Sequence, residues 1–109
     1  MRITAYAKTV LRMTVLQVLE ALSEPIRLSA IRIIWNGGEH CVCELMERLQ
    51  ASQSRMSRHM GALKAAGLVV DRRDAQWVRY RRNPDLPRDI VQIVDAVIVA
   101  VDNRGKAAA

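Results

Sequence analysis

Residues 51–60 read Ala51-Ser52-Gln53-Ser54-Arg55-Met56-Ser57-Arg58-His59-Met60, and this stretch decides the fold. Ala51-Ser52-Gln53 has the make-up of a tight turn, with Ser52 suited to cap a helix running on to Ala66. Met56, Met60 and Leu63 recur at helical spacing and turn one face inward, while Gly67 supplies a left-handed stop. Before the turn lies a shorter helical pattern, Val42 to Gln50, with Val42, Leu45, Met46 and Leu49 on one face. Two short helices joined by about three residues form a helix-turn-helix, the second helix being the one placed for a DNA major groove.

Outward from this unit the pattern stays regular. Leu68 to Arg73 and Trp77 to Arg82 are strand-like and flank a turn at Asp74-Ala75-Gln76, which predicts a two-stranded wing. Alternation puts Trp77, Arg79 and Arg81 on one face of the second strand and Val78 and Tyr80 on the other. Asn83-Pro84-Asp85-Leu86-Pro87 breaks the chain before a last helix, Arg88 to Asp102, whose Ile and Val residues cover most of its circumference. Upstream, Ile3 to Leu22 is helical in pattern. Ser23-Glu24-Pro25 is a stop and restart, with Ser23 or Glu24 as cap, and Ile26 to Trp35 is a second helix with Ile26, Ala30, Ile33 and Ile34 inward. The expected architecture is a mainly α winged helix-turn-helix of about five helices with a small β-hairpin wing. Residues 1–103 form the single domain, and residues 104–109 are expected to be a disordered tail. A terminal helix so apolar needs cover, so the first and last helices are expected to form a homodimer interface; one packing face within the monomer is the alternative.

The chain has 109 residues, 17 Lys and Arg against 11 Asp and Glu, and a net charge of +6. Arg55, Arg58, Lys64, Arg72, Arg73, Arg79, Arg81, Arg82 and Arg88 face only Asp71, Asp74 and Asp85 between Gln53 and Arg88, so that segment carries the whole net charge. Arginine forks suit phosphate, which points to double-stranded DNA as the partner. No apolar run approaches the roughly 18 residues of a membrane span. The first residues lack the order of a signal peptide, so a cytoplasmic location with reduced thiols is expected, and no membrane partner. Nothing resembles a catalytic constellation, so an enzyme is not expected.

The second helix of the unit opens on side chains that donate hydrogen bonds. Gln53, Ser54, Arg55 and Arg58 are assigned to base edges, and Ser57 and His59 to phosphate, with a half-buried role as the alternative for His59. Arg72, Arg73, Arg79 and Arg81 on the wing are assigned to the backbone or minor groove of flanking DNA; Trp77 is read as a packing residue.

Cys41-Val42-Cys43 lies where the shorter helix begins. Two small buried hydrophobes are one reading. Residues i and i+2 of a regular helix differ by about 200°, however, so one thiol should face outward. A helix N-terminus favours thiolate, although Glu39 and Glu44 oppose it, and thiolates select soft ions. In that geometry one ion holds both sulfurs only if the first turn unwinds. The helix buttresses its DNA-reading neighbour, so ion and DNA would exclude each other.

Several of these segments resemble one family. Glu39-His40-Cys41-Val42-Cys43-Glu44-Leu45 resembles the E-L-C-V-C-D-L motif of arsenic-responsive repressors of the ArsR/SmtB family. Ser52 to Met60 resembles their recognition helix, Trp77-Val78-Arg79-Tyr80-Arg81 their wing, and Leu22-Ser23-Glu24-Pro25-Ile26-Arg27-Leu28 the lead-in to their second helix. The resemblance implies a homodimeric repressor of an arsenic-resistance operon, released from operator DNA when As(III) or Sb(III) binds Cys41 and Cys43. A third cysteine often follows one turn on; here that position is Met46, a poor ligand for As(III). His40 stands where the motif has Leu and is expected to face solvent, with a nitrogen ligand as the alternative. The last helix offers Asp89, Asp95 and Asp102 but no histidine, unlike related zinc sensors. A Cd(II), Pb(II) or Zn(II) sensor and a thiol-redox repressor using the same cysteines remain alternatives.

Overall fold

The structure, a computed structural model, describes residues 15–108, with side chains through residue 105. The start of the expected first helix therefore lies outside the described residues. Helix α1 covers residues 15–22 and buries Val18, Ala21 and Leu22. Glu24 then caps α2 (Pro25–Trp35), its carboxylate accepting the Arg27 N–H at 2.8 Å, with Pro25 in the first turn where a missing N–H costs nothing. Gly37 and Gly38, both at positive φ, turn the chain out of α2. The inward face differs from the expected one. Ile31 and Trp35 are buried with Ala30 and Ile34, while Ile26 and Ile33 are half-buried. Helix α2 is covered on more than one side, so its apolar arc is wider than a single stripe.

Strand β1 (His40–Cys41) leads directly into α3 (Val42–Leu49), which buries Val42 and Leu45. Gln50 in the left-handed region ends α3, and Ser52 caps α4 (Gln53–Ala65) by accepting the Arg55 N–H at 3.3 Å. The far end closes as expected. Gly67 has φ of +84°, and the N–H groups of Gly67 and Leu68 donate to the carbonyls of Lys64 and Leu63, a Schellman closure.

Strands β2 (Val69–Asp74) and β3 (Trp77–Arg82) form the wing, joined through Ala75 and Gln76, with Ala75 at a positive φ of 56°. A third strand extends the two-stranded wing. The sheet has three antiparallel strands in the order β1-β3-β2, with His40 opposite Tyr80 and Cys41 opposite Arg79. Residues 40–41 are extended because Cys41 is the cap of α3 and its backbone has not yet entered the helix, which leaves both residues free to pair with β3.

Helix α5 (Arg88–Ala108) buries Ile90 and Val94 against the core and leaves Val91, Ile93, Val97 and Ile98 half-buried. It is tied to α2 by Trp35 Nε1 donating to Asp95 at 2.7 Å and by an Arg32–Asp102 ion pair. The described backbone of this helix runs on to Ala108. The core is aliphatic with two methionines; Leu45, Met56, Met60, Leu63 and Leu68 are fully buried, and no polar side chain is buried among the described residues.

Candidate nucleic-acid interface and thiol site

Helix α4 turns Met56, Met60 and Leu63 into the core, which forces the intervening side chains outward. Gln53, Ser54, Arg55, Ser57 and Arg58 are all exposed, as a reading surface requires. His59 is half-buried. Its side chain is 18% exposed, with Nδ1 3.5 Å from a Glu24 carboxylate oxygen and 3.5 Å from Arg27 Nη1. Arg27, Arg55, Arg58 and His59 line an open pocket of about 360 Å³ beside the start of α4. Sequence reasoning did not single out Arg27 for this face. Its Nε donates to the Ala21 carbonyl at 2.8 Å and its Nη2 to that of Glu20 at 3.3 Å, so it also satisfies the C-terminal end of α1. The signal was its place in the Leu22–Leu28 segment.

The wing arginines divide into two kinds. Arg73 and Arg81 are exposed and form no ion pair among the described residues. Arg72 is clamped by Glu39, its Nε and Nη2 donating to the two carboxylate oxygens at 2.6 and 2.7 Å. Arg79 donates to Asp74 at 2.7 Å. The hydrogen bond from Arg72 holds the Glu39 carboxyl below its usual 4.5, and that from Arg79 holds Asp74 below 3.8. Burial raises the Tyr80 phenol, whose ring faces the core.

The thiol site departs from the sequence reading in three ways. Cys41 is not in the helix. It is the N-cap of α3, with extended backbone (φ −67°, ψ 144°), and its Sγ accepts the Cys43 N–H at 3.3 Å. The turn of about 200° between i and i+2 therefore does not apply, and the sulfurs meet without any unwinding. Second, they are joined as a disulfide rather than held as separate reduced thiols, with Cα atoms 5.1 Å apart, inside the span a disulfide bridges. Third, His40 does not face solvent. Its side chain is 17% exposed, with Nδ1 3.0 Å from Glu44 and Nε2 3.1 Å from the Gly37 carbonyl, so both ring nitrogens are engaged. One expectation holds: Cys41 is buried and Cys43 is exposed.

The acidic neighbours of the thiols are compensated. Glu39 is paired with Arg72, and Glu44 is held below its usual 4.5 first by the His40 hydrogen bond and also by Arg48. Among the described residues no three His, Cys, Asp or Glu side chains gather as a metal cluster, so the site offers two sulfurs, with half-buried Met46 one turn on. The α5 carboxylates have structural partners: Asp95 holds Trp35, Asp102 holds Arg32, and Asp89 accepts the Ile90 N–H.

Comparison with known proteins matches residues 12–70 to the family described as bacterial regulatory protein, arsR family. An arsenic resistance transcriptional regulator of Pseudomonas putida is 42% identical over 83 residues, which cover 76% of this chain and 72% of that protein. The arsenical resistance operon repressor of Escherichia coli is 36% identical over 80 residues, covering 73% of this chain and 68% of the repressor. Among solved structures, a homodimeric winged helix-turn-helix DNA-binding domain from Mycobacterium bovis, a possible ArsR-family transcriptional regulator, aligns with a TM-score of 0.74 at 25% identity. That alignment covers 98% of this chain and 95% of the domain. HlyU from Vibrio cholerae aligns with a TM-score of 0.67 at 28% identity over 79% of this chain and 89% of HlyU.

Proposed function

The chain belongs to the arsR family of bacterial regulatory proteins, and from that premise we propose that it is a cytoplasmic repressor that binds operator DNA as a homodimer and releases it when Cys41 and Cys43 take up As(III) or Sb(III). The observation that carries this reading is the meeting of the two sulfurs at the cap of α3, the first helix of the helix-turn-helix. Thiolates are the ligands a soft metalloid selects, and two adjoining sulfurs supply a chelate once the disulfide is reduced. Cys41 also accepts the Cys43 N–H, so engaging its sulfur elsewhere withdraws the cap from α3. Helix α3 packs against α4, and the DNA-reading face shifts with it.

Gln53, Ser54, Arg55 and Arg58 would meet base edges, while Ser57 would donate a hydrogen bond to a phosphate and Arg73 and Arg81 would neutralise phosphates. Leu16, Leu19 and Val99 are exposed on α1 and α5, apolar surface of the kind a second copy covers, and the Mycobacterium bovis domain is homodimeric. Among the described residues no helix is long and apolar enough to cross a membrane.

The test is fluorescence anisotropy of the protein on promoter DNA, titrated with arsenite under reducing conditions and repeated with Cys41→Ser. Release of wild type alone is the expected result. Equal release of both would overturn the site, and no release of wild type would overturn the effector. The order of potency among arsenite, Cd(II), Pb(II) and Zn(II) decides between metalloid and divalent sensors.

The direct pairing of Cys41 with Cys43 favours a second reading, a thiol-redox repressor. Two thiols would give up two electrons and two protons to a hydroperoxide, forming the disulfide, an alcohol and water. Release by hydroperoxide without metalloid would select it.

A further inference from the structure

Strand β1 makes the thiol site part of the wing sheet, and the register shows how closely. Arg79 of β3 lies opposite Cys41 on one side and opposite Arg72 of β2 on the other. Directly opposed residues of an antiparallel sheet point to the same face, so Cys41, Arg79 and Arg72 form one row across three strands. Glu39, two residues before Cys41 and so on the same side of the extended segment, reaches along that row to clamp Arg72 through both carboxylate oxygens. Asp74 fixes Arg79 within the same row. The strand that carries the first thiol is thus fastened to both hairpin strands, by backbone pairing to β3 and by the Glu39–Arg72 fork to β2. It is only two residues long, so the ladder is short, and the fork adds a side-chain link from the segment before β1 to β2.

We infer that Glu39 is a positioning residue that couples the Cys41–Cys43 site to the wing, so that a change at the sulfurs reaches DNA through β1, β3 and β2 as well as through α3 and α4. The inference rests on the effector reading above. When the sulfurs are drawn to a ligand, the backbone of β1 moves with Cys41, and the fork drags Arg72 and the hairpin that carries Arg73 and Arg81. Without the fork, only the two-residue ladder to β3 passes the movement of β1 to the hairpin. Glu39 touches neither ligand nor DNA in this scheme; it acts through Arg72.

Glu39→Gln tests it, with Glu39→Asp as the variant that keeps the charge. Three quantities are read: arsenite affinity of the free reduced protein, DNA affinity without arsenite, and the fold loss of DNA affinity at saturating arsenite. For Glu39→Gln the first should stay within about twofold of wild type, the second within a few-fold, and the third should shrink about tenfold, with Glu39→Asp recovering part of it. A merely structural role would change the first two and leave their coupling intact. Coupling equal to wild type, or loss of either binding event in Glu39→Gln, overturns the inference. If arsenite fails to release wild type, the effector reading falls and the inference is decided separately. Amide hydrogen exchange at Arg79 to Arg81 is compared between reduced protein and protein with the Cys41–Cys43 disulfide closed by diamide. A difference in wild type that is lost in Glu39→Gln sustains the coupling; no difference, or the same difference in both, overturns it.

Discussion

Cys41 has three duties at once: it caps α3, ends β1 and supplies one of the two sulfurs. Serine can accept the same N–H, so Cys41→Ser should fold and bind DNA as wild type does while losing arsenite release, measured by anisotropy. Arg58→Ala should weaken operator binding by about 1–3 kcal/mol if its guanidinium reads a base. Arg73→Ala, by contrast, should weaken binding to any sequence and lower the slope of log affinity against log salt by about 1. The site was legible as far as residue type and local spacing reach. The two thiols and the exposed donors of α4 were found because neighbours in sequence place them. The backbone state of one residue, extended at Cys41 instead of helical, decided whether the sulfurs diverge or meet, and no spacing rule fixes a helix boundary to one residue. The neutralisation of Arg72 was hidden because its carboxylate lies 33 residues away in sequence. The half-burial of His59 comes from Glu24 and Arg27, which converge on it from the preceding loop and helix.

At the scale of elements, the two ends of α4 were the most legible features. Ser52 and Gly67 act through neighbouring backbone, so their chemistry is written locally. Ser52→Ala should lower stability by about 1 kcal/mol in denaturant unfolding, with α4 amides near the cap exchanging faster. Strand β1 was illegible because two residues show no alternation and its partner is distant in sequence. Its consequence is a pH dependence of the wing. Glu39 and Asp74 titrate lower in the folded chain than their ordinary 4.5 and 3.8 because of Arg72 and Arg79. As pH falls the unfolded chain takes up protons first. The support these pairs give is therefore complete above about 4.5 and is lost as pH drops through the lowered folded values. The protection of the β2 and β3 amides, taken as exchange rate relative to that of an unfolded chain at the same pH, should fall below that range and stay level between pH 5 and 8; a loss of protection near neutrality would show that other groups control the wing.

For the whole molecule, the apolar surplus read from the sequence is divided between two uses. Ile90 and Val94 of α5 complete the monomer core, while Leu16, Leu19 and Val99 remain uncovered. Val99→Glu should therefore leave the fold intact and shift the sedimentation coefficient from dimer to monomer, with operator affinity falling as the second half-site contact is lost. An unchanged sedimentation coefficient would place the interface elsewhere. Trp35 stands where the separate parts of the molecule meet. Its ring lies in α2, its indole N–H is held by Asp95 of α5, and the Arg82 guanidinium of β3 sits 4.2 Å from the ring centroid. Indole emission responds to a nearby cation and to loss of a hydrogen bond, and the chain has only two tryptophans, the second beside the turn at the tip of the wing. The protein thus carries its own optical gauge: any rearrangement that parts the wing from the terminal helix should change its colour and brightness, with no label attached.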